Sequence, residues 1–255
     1  MTHPLSRTEL IYGSEALAKV RAARVAVFGL GGVGGNVVEA LARSGIGTLD
    51  LIDNDTITLT NLNRQLLAVR STLGQRKVDA AADRVHDINP DAVVHTYPVF
   101  FLPDNADQFD FTLFDYVVDA VDTVAAKLEL IVRAQGAGTP ILSCMGCGNR
   151  IDPARLRIAD LAQTHTDPLA RTMRRECKKR RIEHLKVLCS DEPPIRPLTG
   201  RETSDNETPP AHRRSVPGST AFVPPAAGIL IAAEVVRDLS GFDPGDRVKG
   251  GRQKR

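Results

Sequence analysis

The part of the sequence best suited to chemistry is a glycine-rich turn with a carboxylate downstream. Residues 29–34 read Gly-Leu-Gly-Gly-Val-Gly, and Asp53 follows about 20 residues later. Glycines allow a tight turn and a close approach of the backbone to a phosphate, and the N-terminus of a following helix supplies unpaired N–H groups. A carboxylate at Asp53 can accept hydrogen bonds from ribose hydroxyls. The candidate nucleotide-binding residues are therefore Gly29, Gly31, Gly32, Gly34 and Asp53.

A second set of polar residues narrows the kind of nucleotide. Its members are Asp55, Asn61, Arg64, Gln65, Lys77 and Asp122. The turn alone indicates an adenine nucleotide, with NAD as the default. NAD needs no extra amide and cationic donors beside its pyrophosphate, whereas a triphosphate that gains charge on its α-phosphate does, together with a carboxylate for Mg²⁺. The sequence therefore predicts an ATP site, with Arg64, Lys77 and Asp122 as catalytic residues and Asp122 as the magnesium ligand.

Alternating strands and helices must position these residues. The apolar run 25–30 predicts a buried strand, residues 37–42 have apolar side chains at helical spacing, and the run 49–52 predicts a strand that ends at Asp53. Further strands are predicted at 93–97, 116–122, 140–143 and 185–189, and helices at 5–20, 74–88, 123–136, 166–181 and 225–239. This alternation predicts an α/β fold with a doubly wound, mostly parallel, Rossmann-like sheet. Asp122 then lies beyond the carboxyl end of a strand, where ligands bind in such sheets.

The polar set and the turn together resemble the ThiF/MoeB-like superfamily, which includes ubiquitin-activating enzymes and uses ATP to adenylate a carboxylate. Three further motifs narrow the resemblance: Thr-Asn-Leu-Asn-Arg-Gln at 60–65, Ile-Asp-Pro at 151–153, and Asp-Leu-Ala at 160–162 followed by Asp-Pro-Leu at 167–169. With Val-Pro-Gly-Ser at 216–219, they make residues 7–240 similar to the tRNA threonylcarbamoyladenosine dehydratase family.

The resemblance implies a reaction and a set of partners. ATP would adenylate the free carboxylate of a modified adenosine beside the tRNA anticodon, and attack from within the same side chain would close a ring and release AMP. The resemblance also implies a homodimer in which Arg7 of one subunit reaches the ATP site of the other. Sulfur-transfer proteins are candidate partners.

Composition agrees with one domain. The chain has 255 residues, 42% of them hydrophobic, which suits one large α/β domain or one with an elaborated second half. The resemblance implies that this is a single ThiF-like ATP-binding domain. We expect a nucleotide-binding half at 1–150 and a substrate and dimer half at 151–244. Segment 190–218 is poor in apolar residues and contains six prolines, which indicates a mobile loop, and the basic tail 245–255 is expected to be disordered.

The sequence also favours a cytoplasmic location. The longest apolar stretch, 226–236, is too short to span a membrane, and the N-terminus lacks the apolar core of a secretory signal. Four cysteines in such a chain indicate reduced thiols.

Charge is distributed unevenly along the chain. Residues 1–150 have a net charge of −4 and residues 151–255 of +6. Eight Lys and Arg residues lie between Arg171 and Lys186, against Glu176 and Glu183. Such a segment is either a solvated helix or a surface for RNA phosphates, and its density favours RNA.

The cysteines allow two other interpretations. Cys144 and Cys147 have the spacing of half a zinc site, but Cys177 and Cys189 form no second pair, so reduced thiols are favoured over zinc. Cys189 is the candidate for a thioester, although nothing nearby would activate it.

Two other functions compete with the dehydratase. An adenylating activator of a ubiquitin-like sulfur carrier would share the ATP half of the chain. An RNA-binding module with a vestigial nucleotide site would explain the basic second half.

Overall fold

A seven-stranded sheet forms the centre of the computed structural model, which describes residues 3–198, 217–243 and 245. The strands are β1 (Arg24–Phe28), β2 (Thr48–Ile52), β3 (Val93–Tyr97), β4 (Tyr116–Asp119), β5 (Ile141–Cys144), β6 (Leu156–Asp160) and β7 (Lys186–Ser190). Their order is β3-β2-β1-β4-β5-β7-β6. All neighbours are parallel except β6 and β7, which are antiparallel. The predicted α/β fold with a mostly parallel sheet is confirmed.

Helices cover both faces of this sheet. They are α1 (Ser6–Tyr12), α2 (Ser14–Ala22), α3 (Gly34–Arg43), α4 (Lys77–Ile88), α5 (Val124–Ala137), α6 (Pro168–Lys179) and α7 (Val223–Ser240). Side chains alternate between the faces along β1: Val25 and Val27 pack with α2, α3, α4 and α7, whereas Ala26 and Phe28 pack with α5 and α6. The central strands are therefore buried on both faces by two separate apolar cores, which explains the continuous apolar run at 25–30.

The strand order creates a crevice between β1 and β4. The chain leaves β1 toward β2 and β3, and then crosses back to place β4 on the other side of β1. Ligands in open parallel sheets bind at such a reversal, beyond the carboxyl ends of the strands. The glycine turn follows β1 and Asp122 follows β4, so both lie at this edge.

The structure corrects three of the predicted elements. The predicted helix 5–20 is two helices, separated at Gly13, whose φ of 84° favours glycine. The predicted strand 25–30 ends at Phe28, and Leu30 belongs to the turn. Strand β6 was not predicted, because it lies antiparallel at an edge of the sheet and is only partly buried, which breaks up the apolar run.

Parts of two predicted segments lie outside the described residues. Residues 199–216 of the predicted mobile loop 190–218 are not described, and neither are residues 246–255 of the predicted tail. Within the described ranges, none of the helices has the length and apolar character needed to cross a membrane.

Candidate functional site

The glycine turn passes so close to β4 that side chains cannot fit there. Gly29 has a φ of 88°, and a Cβ atom on it would lie 2.7 Å from the carbonyl oxygen of Ala120. A Cβ atom on Gly34 would lie 1.7 Å from the carbonyl oxygen of Gly29. These close approaches leave backbone N–H groups at the start of α3 as the lining of the crevice, which is the arrangement that binds phosphate groups.

Asp53 connects the glycine turn to the end of β2. Its Oδ2 accepts a hydrogen bond from the Leu30 N–H at 2.6 Å, and its Oδ1 accepts one from the Asp55 N–H at 2.8 Å. Burial raises the pKa of Asp53, although the positive charge of Lys77 and these two backbone donors act in the opposite direction. The carboxylate thus holds the turn in place at the end of β2.

Lys77 is the first residue of α4 and is only 4% exposed. Its Nζ atom lies 2.6 Å from Asp55 Oδ2 and 3.8 Å from Asp53 Oδ1. A buried ammonium group requires such partners, since burial of an unpaired charge is costly. The structure therefore brings Lys77, Asp53 and Asp55 together beside the glycine turn. The predicted helix 74–88 begins at Lys77, so Lys77 lies in its first turn as predicted.

The segment from Asn61 to Gln65 packs against the glycine turn. Asn61 is buried, and its Oδ1 accepts a hydrogen bond from the Thr58 N–H at 3.2 Å. The carbonyl oxygen of Arg64 lies 3.3 Å from the position that a Cβ atom on Gly32 would occupy. The Arg64 guanidinium donates to the Thr60 carbonyl oxygen at 2.9 Å.

Gln65 offers an acceptor that none of the described residues uses. The residue is 7% exposed, and its Oε1 is buried without a hydrogen-bond partner in the part of the chain that the structure describes. Its Nε2 lies 4.0 Å from the position of a Cβ atom on Gly31. Buried acceptors are normally satisfied, so this atom next to the turn fits a site that is completed by a ligand.

Asp122 is exposed in the loop between β4 and α5, and its Oδ1 accepts a hydrogen bond from the Thr123 hydroxyl at 3.3 Å. Arg7 is not brought to the crevice within its own chain. It lies in α1, where the neighbouring Leu5 side chain touches Gly45, beyond the C-terminal end of α3. The glycine turn lies at the other end of α3, about 15 Å away for a helix of this length.

Sequence reasoning missed a buried polar cluster below Asp122. Lys127 Nζ lies 3.1 Å from both carboxylate oxygens of Asp119 and 2.6 Å from the carbonyl oxygen of Cys144. The Ser143 hydroxyl donates to Asp119 Oδ2 at 2.5 Å. Because the Val121 N–H also donates to Asp119, the cluster fixes the loop that leads to Asp122. The signal in the sequence is the position of Lys127 at helical spacing from the apolar residues Leu130, Ile131 and Ala134, which places a charge on the buried side of α5.

The cysteines do not form a metal site in the described ranges. The Sγ atoms of Cys144 and Cys147 are 3.6 Å apart, but no group of three or more His, Cys, Asp or Glu side chains is placed to hold a metal in residues 3–198, 217–243 and 245. Burial raises the pKa of Cys189, which disfavours the thiolate that a thioester-forming nucleophile requires.

Comparison with known proteins agrees with this geometry. The model of the ThiF family matches residues 5–252. A tRNA threonylcarbamoyladenosine dehydratase from Bacillus subtilis is 42% identical over 243 residues, which cover 94% of this chain and 95% of the relative. The crystal structure of the Escherichia coli tRNA N6-threonylcarbamoyladenosine dehydratase with AMP is 32% identical, has a TM-score of 0.81 and matches over 92% of this chain and 93% of that chain. The same enzyme with ATP is 30% identical, has a TM-score of 0.82 and matches over 97% and 96% of the two chains. The chain therefore belongs to the ThiF family.

Proposed function

We propose that this protein is an ATP-dependent tRNA threonylcarbamoyladenosine dehydratase. The observation that carries the proposal is the placement of Lys77, Asp53 and the orphan Gln65 acceptor around a glycine turn that excludes side chains. The similarity to the Bacillus subtilis and Escherichia coli dehydratases supplies the substrate, which the geometry alone would leave open.

The reaction has two steps. A carboxylate oxygen of the threonylcarbamoyl group attacks the α-phosphorus of ATP, and the bond to the pyrophosphate breaks. A nucleophile within the same side chain then attacks the activated carbonyl carbon, which closes a ring and expels AMP. The oxygen removed from the substrate leaves as part of AMP. Neither step needs a thiol, in agreement with the raised pKa of Cys189.

The residues of the crevice divide this work between binding and charge stabilisation. The glycine turn binds phosphate through backbone N–H groups and Asp53 binds the ribose. Lys77 and Arg64 stabilise the charge that develops on the phosphates, and Asn61 and Gln65 orient the nucleotide. Asp55 holds the Lys77 ammonium in the crevice, and it is exposed enough to be solvated by water when the lysine turns toward a phosphate.

Asp122 is the residue that would hold a magnesium ion. Mg²⁺ is usually bound by one or two protein carboxylates together with substrate phosphates, and Asp122 presents an exposed carboxylate at this edge. The bound ion would neutralise phosphate charge and so favour attack on the α-phosphorus.

We further propose a homodimer that works in the cytoplasm, with sulfur-transfer proteins as candidate partners. The position of Arg7 is compatible with the dimer, because α1 lies near the end of α3 that is remote from the glycine turn, so a contact between Arg7 and a nucleotide would require the crevice of a second copy.

The test is pyrophosphate release by the purified protein with ATP and either tRNA that carries the modified adenosine or a ubiquitin-like sulfur carrier. We expect release only with the tRNA, together with loss of one water from the modified nucleoside in mass spectrometry. Release only with the carrier would replace the dehydratase by the carrier activator.

Arg64→Ala sharpens this test. Loss of one donor to developing charge costs about 10²–10³ in turnover. The matched control is Arg70→Ala, an exposed arginine six residues further along, which should retain normal turnover. Normal turnover in the Arg64 variant would remove this arginine from the mechanism.

A further inference from the structure

We propose that the outer face of α6 is the surface that binds the phosphate backbone of the substrate tRNA. This inference rests on the proposed function, because it takes tRNA as the substrate of the crevice. It adds a second tRNA contact surface, which lies outside the nucleotide site. Three observations carry it: where α6 begins, which of its cations are already paired, and which are not.

Helix α6 begins at the edge of the sheet where the crevice lies. Its N-cap residue, Asp167, accepts hydrogen bonds from the Leu169 N–H at 2.8 Å and the Ala170 N–H at 3.3 Å through Oδ1. The other oxygen, Oδ2, accepts from the Gly146 N–H at 2.8 Å. Gly146 belongs to the loop after β5, the neighbour of the strand that leads to Asp122. The first turn of α6 is therefore held at the catalytic edge, and the helix extends about 18 Å from it.

Four of the seven cations between Arg171 and Arg181 already have structural partners. Glu176 forms ion pairs with Arg175 at 3.3 Å, Lys179 at 2.8 Å and Arg180 at 3.1 Å. Hydrogen bonds from Lys179 and Arg180 lower the pKa of Glu176 to about 2, so this carboxylate stays charged. Arg174 donates to the carbonyl oxygen of Thr164 at 2.8 Å. One carboxylate shared by three cations leaves a strong positive surplus on this part of the helix.

Three other cations are left for a partner. Arg171, Lys178 and Arg181 are exposed, and their side chains have no hydrogen bond or ion pair within the part of the chain that the structure describes. Arg171 and Lys178 are seven residues apart, so they lie on the same side of the helix and about 10 Å apart along it. The apolar side, with Ala170, Met173 and Cys177, is buried against the protein. Arg171 and Lys178 thus form a line on the outer face that leads away from the crevice, and Arg181 follows just after the helix ends.

A polyanion is the partner that this line fits. A surplus of positive charge favours phosphates, which are bound without regard to base sequence. RNA backbones present phosphates in a regular row, so a tRNA whose modified adenosine enters the crevice would pass over α6.

The test compares two charge-reversal variants of the full-length protein. Arg171→Glu/Lys178→Glu changes the proposed surface. Lys19→Glu/Arg21→Glu makes the same change of charge in α2, which covers the other face of the sheet and ends at the start of β1. Binding of fluorescently labelled modified tRNA is measured between about 50 and 200 mM salt, a range over which phosphate contacts weaken strongly.

For the α6 variant we expect an increase of roughly tenfold or more in the Kd and KM for tRNA, and a salt dependence of log Kd that is shallower by about 0.7–0.9 for each lost contact. The ATP affinity, the thermal midpoint and kcat at saturating tRNA should stay at wild-type values. The α2 variant should bind tRNA nearly as tightly as the wild type.

Equal tRNA affinity and salt dependence in the wild type and the α6 variant would overturn the proposed surface, and so would an equal loss in both variants. Neither outcome affects the dehydratase assignment, which is judged by wild-type turnover alone. A wild type that binds tRNA through α6 but never dehydrates it would refute the proposed function and leave the surface standing.

Discussion

Two buried lysines of this protein differ in how many hydrogen-bond donors of the ammonium group are already used by neighbouring residues. Lys127 is completely buried, and its ammonium group has three acceptors: both oxygens of Asp119 and the carbonyl oxygen of Cys144. Lys77 is nearly as buried, but its one close carboxylate belongs to Asp55, whose side chain is 58% exposed. An ammonium group has three donors, so Lys127 has none left for a ligand.

This difference supports the two roles that we propose, a structural one for Lys127 and a catalytic one for Lys77. Lys127 joins the carboxyl ends of β4 and β5 below the crevice, and any movement would leave the buried Asp119 carboxylate unpaired. Lys77 can exchange Asp55 for a phosphate, because water can solvate the released carboxylate. Burial of a lysine therefore does not by itself identify a catalytic group, and it is the exposure of Asp55 that supports the proposed role of Lys77.

Lys127→Met should have the largest effect. Removing one partner of a buried ion pair costs about 3–5 kcal/mol, which for a chain of this size lowers the Tm by roughly 6–20 °C. The measurement is thermal unfolding by circular dichroism. The double variant Lys127→Met/Asp119→Leu should recover part of this loss, since it leaves no buried charge alone. A wild-type Tm for Lys127→Met would remove the distinction between the two lysines.

Lys77→Met should affect turnover instead of folding. We expect kcat/KM to fall by about 10²–10³, equivalent to about 2.7–4 kcal/mol of transition-state stabilisation. The Tm should fall by less than it does in Lys127→Met, because Asp55 remains solvated. Lys19→Met, which changes an exposed lysine of α2, is the control and should leave turnover unchanged. A large loss of Tm with normal turnover would make Lys77 structural as well.

Ser143→Ala tests the buried cluster more gently. Its hydroxyl donates to Asp119, and loss of a hydrogen bond to a charged group costs about 1.5–3 kcal/mol. We expect a lower free energy of unfolding in urea, with a normal KM for ATP. A change confined to the KM for ATP would place this cluster in the catalytic machinery.

The smallest expected effect is on the pH dependence of folding stability, through the pKa of Asp53. Because burial raises its pKa in the folded protein, its stabilising contribution is complete below the ordinary Asp pKa of about 3.9 and is lost as the pH rises through the folded value. Lys77 opposes this shift, so Lys77→Met should raise the pKa of Asp53 further and extend the loss of stability to higher pH. The carboxyl carbon resonance of Asp53 in an NMR titration reports both values. An unchanged or lower pKa in the variant would show that the two charges are not coupled.

The contrast between the lysines also marks what the sequence can predict. The glycine turn, Asp53 and a helix with Lys77 in its first turn are encoded locally, in spacing and periodicity, so they can be predicted without a structure. The pairing of Lys127 depends on β4 and β5 becoming neighbours, which no single segment contains. Strand β6 also could not be predicted from its own segment. Its sequence is half polar, and it becomes a strand by pairing with β7. Arg7 is a further case, because its proposed role depends on a second copy of the chain.

The Asp167 carboxylate has a mechanical consequence. One of its oxygens receives the Gly146 N–H of the loop after β5, and the other receives the first N–H groups of α6. This one side chain therefore fixes the position of α6 relative to the loop after β5, which lies at the edge of the sheet with the proposed ATP site. If tRNA lies along α6 as we propose, this fixed distance would determine which of its nucleotides reaches the proposed ATP site.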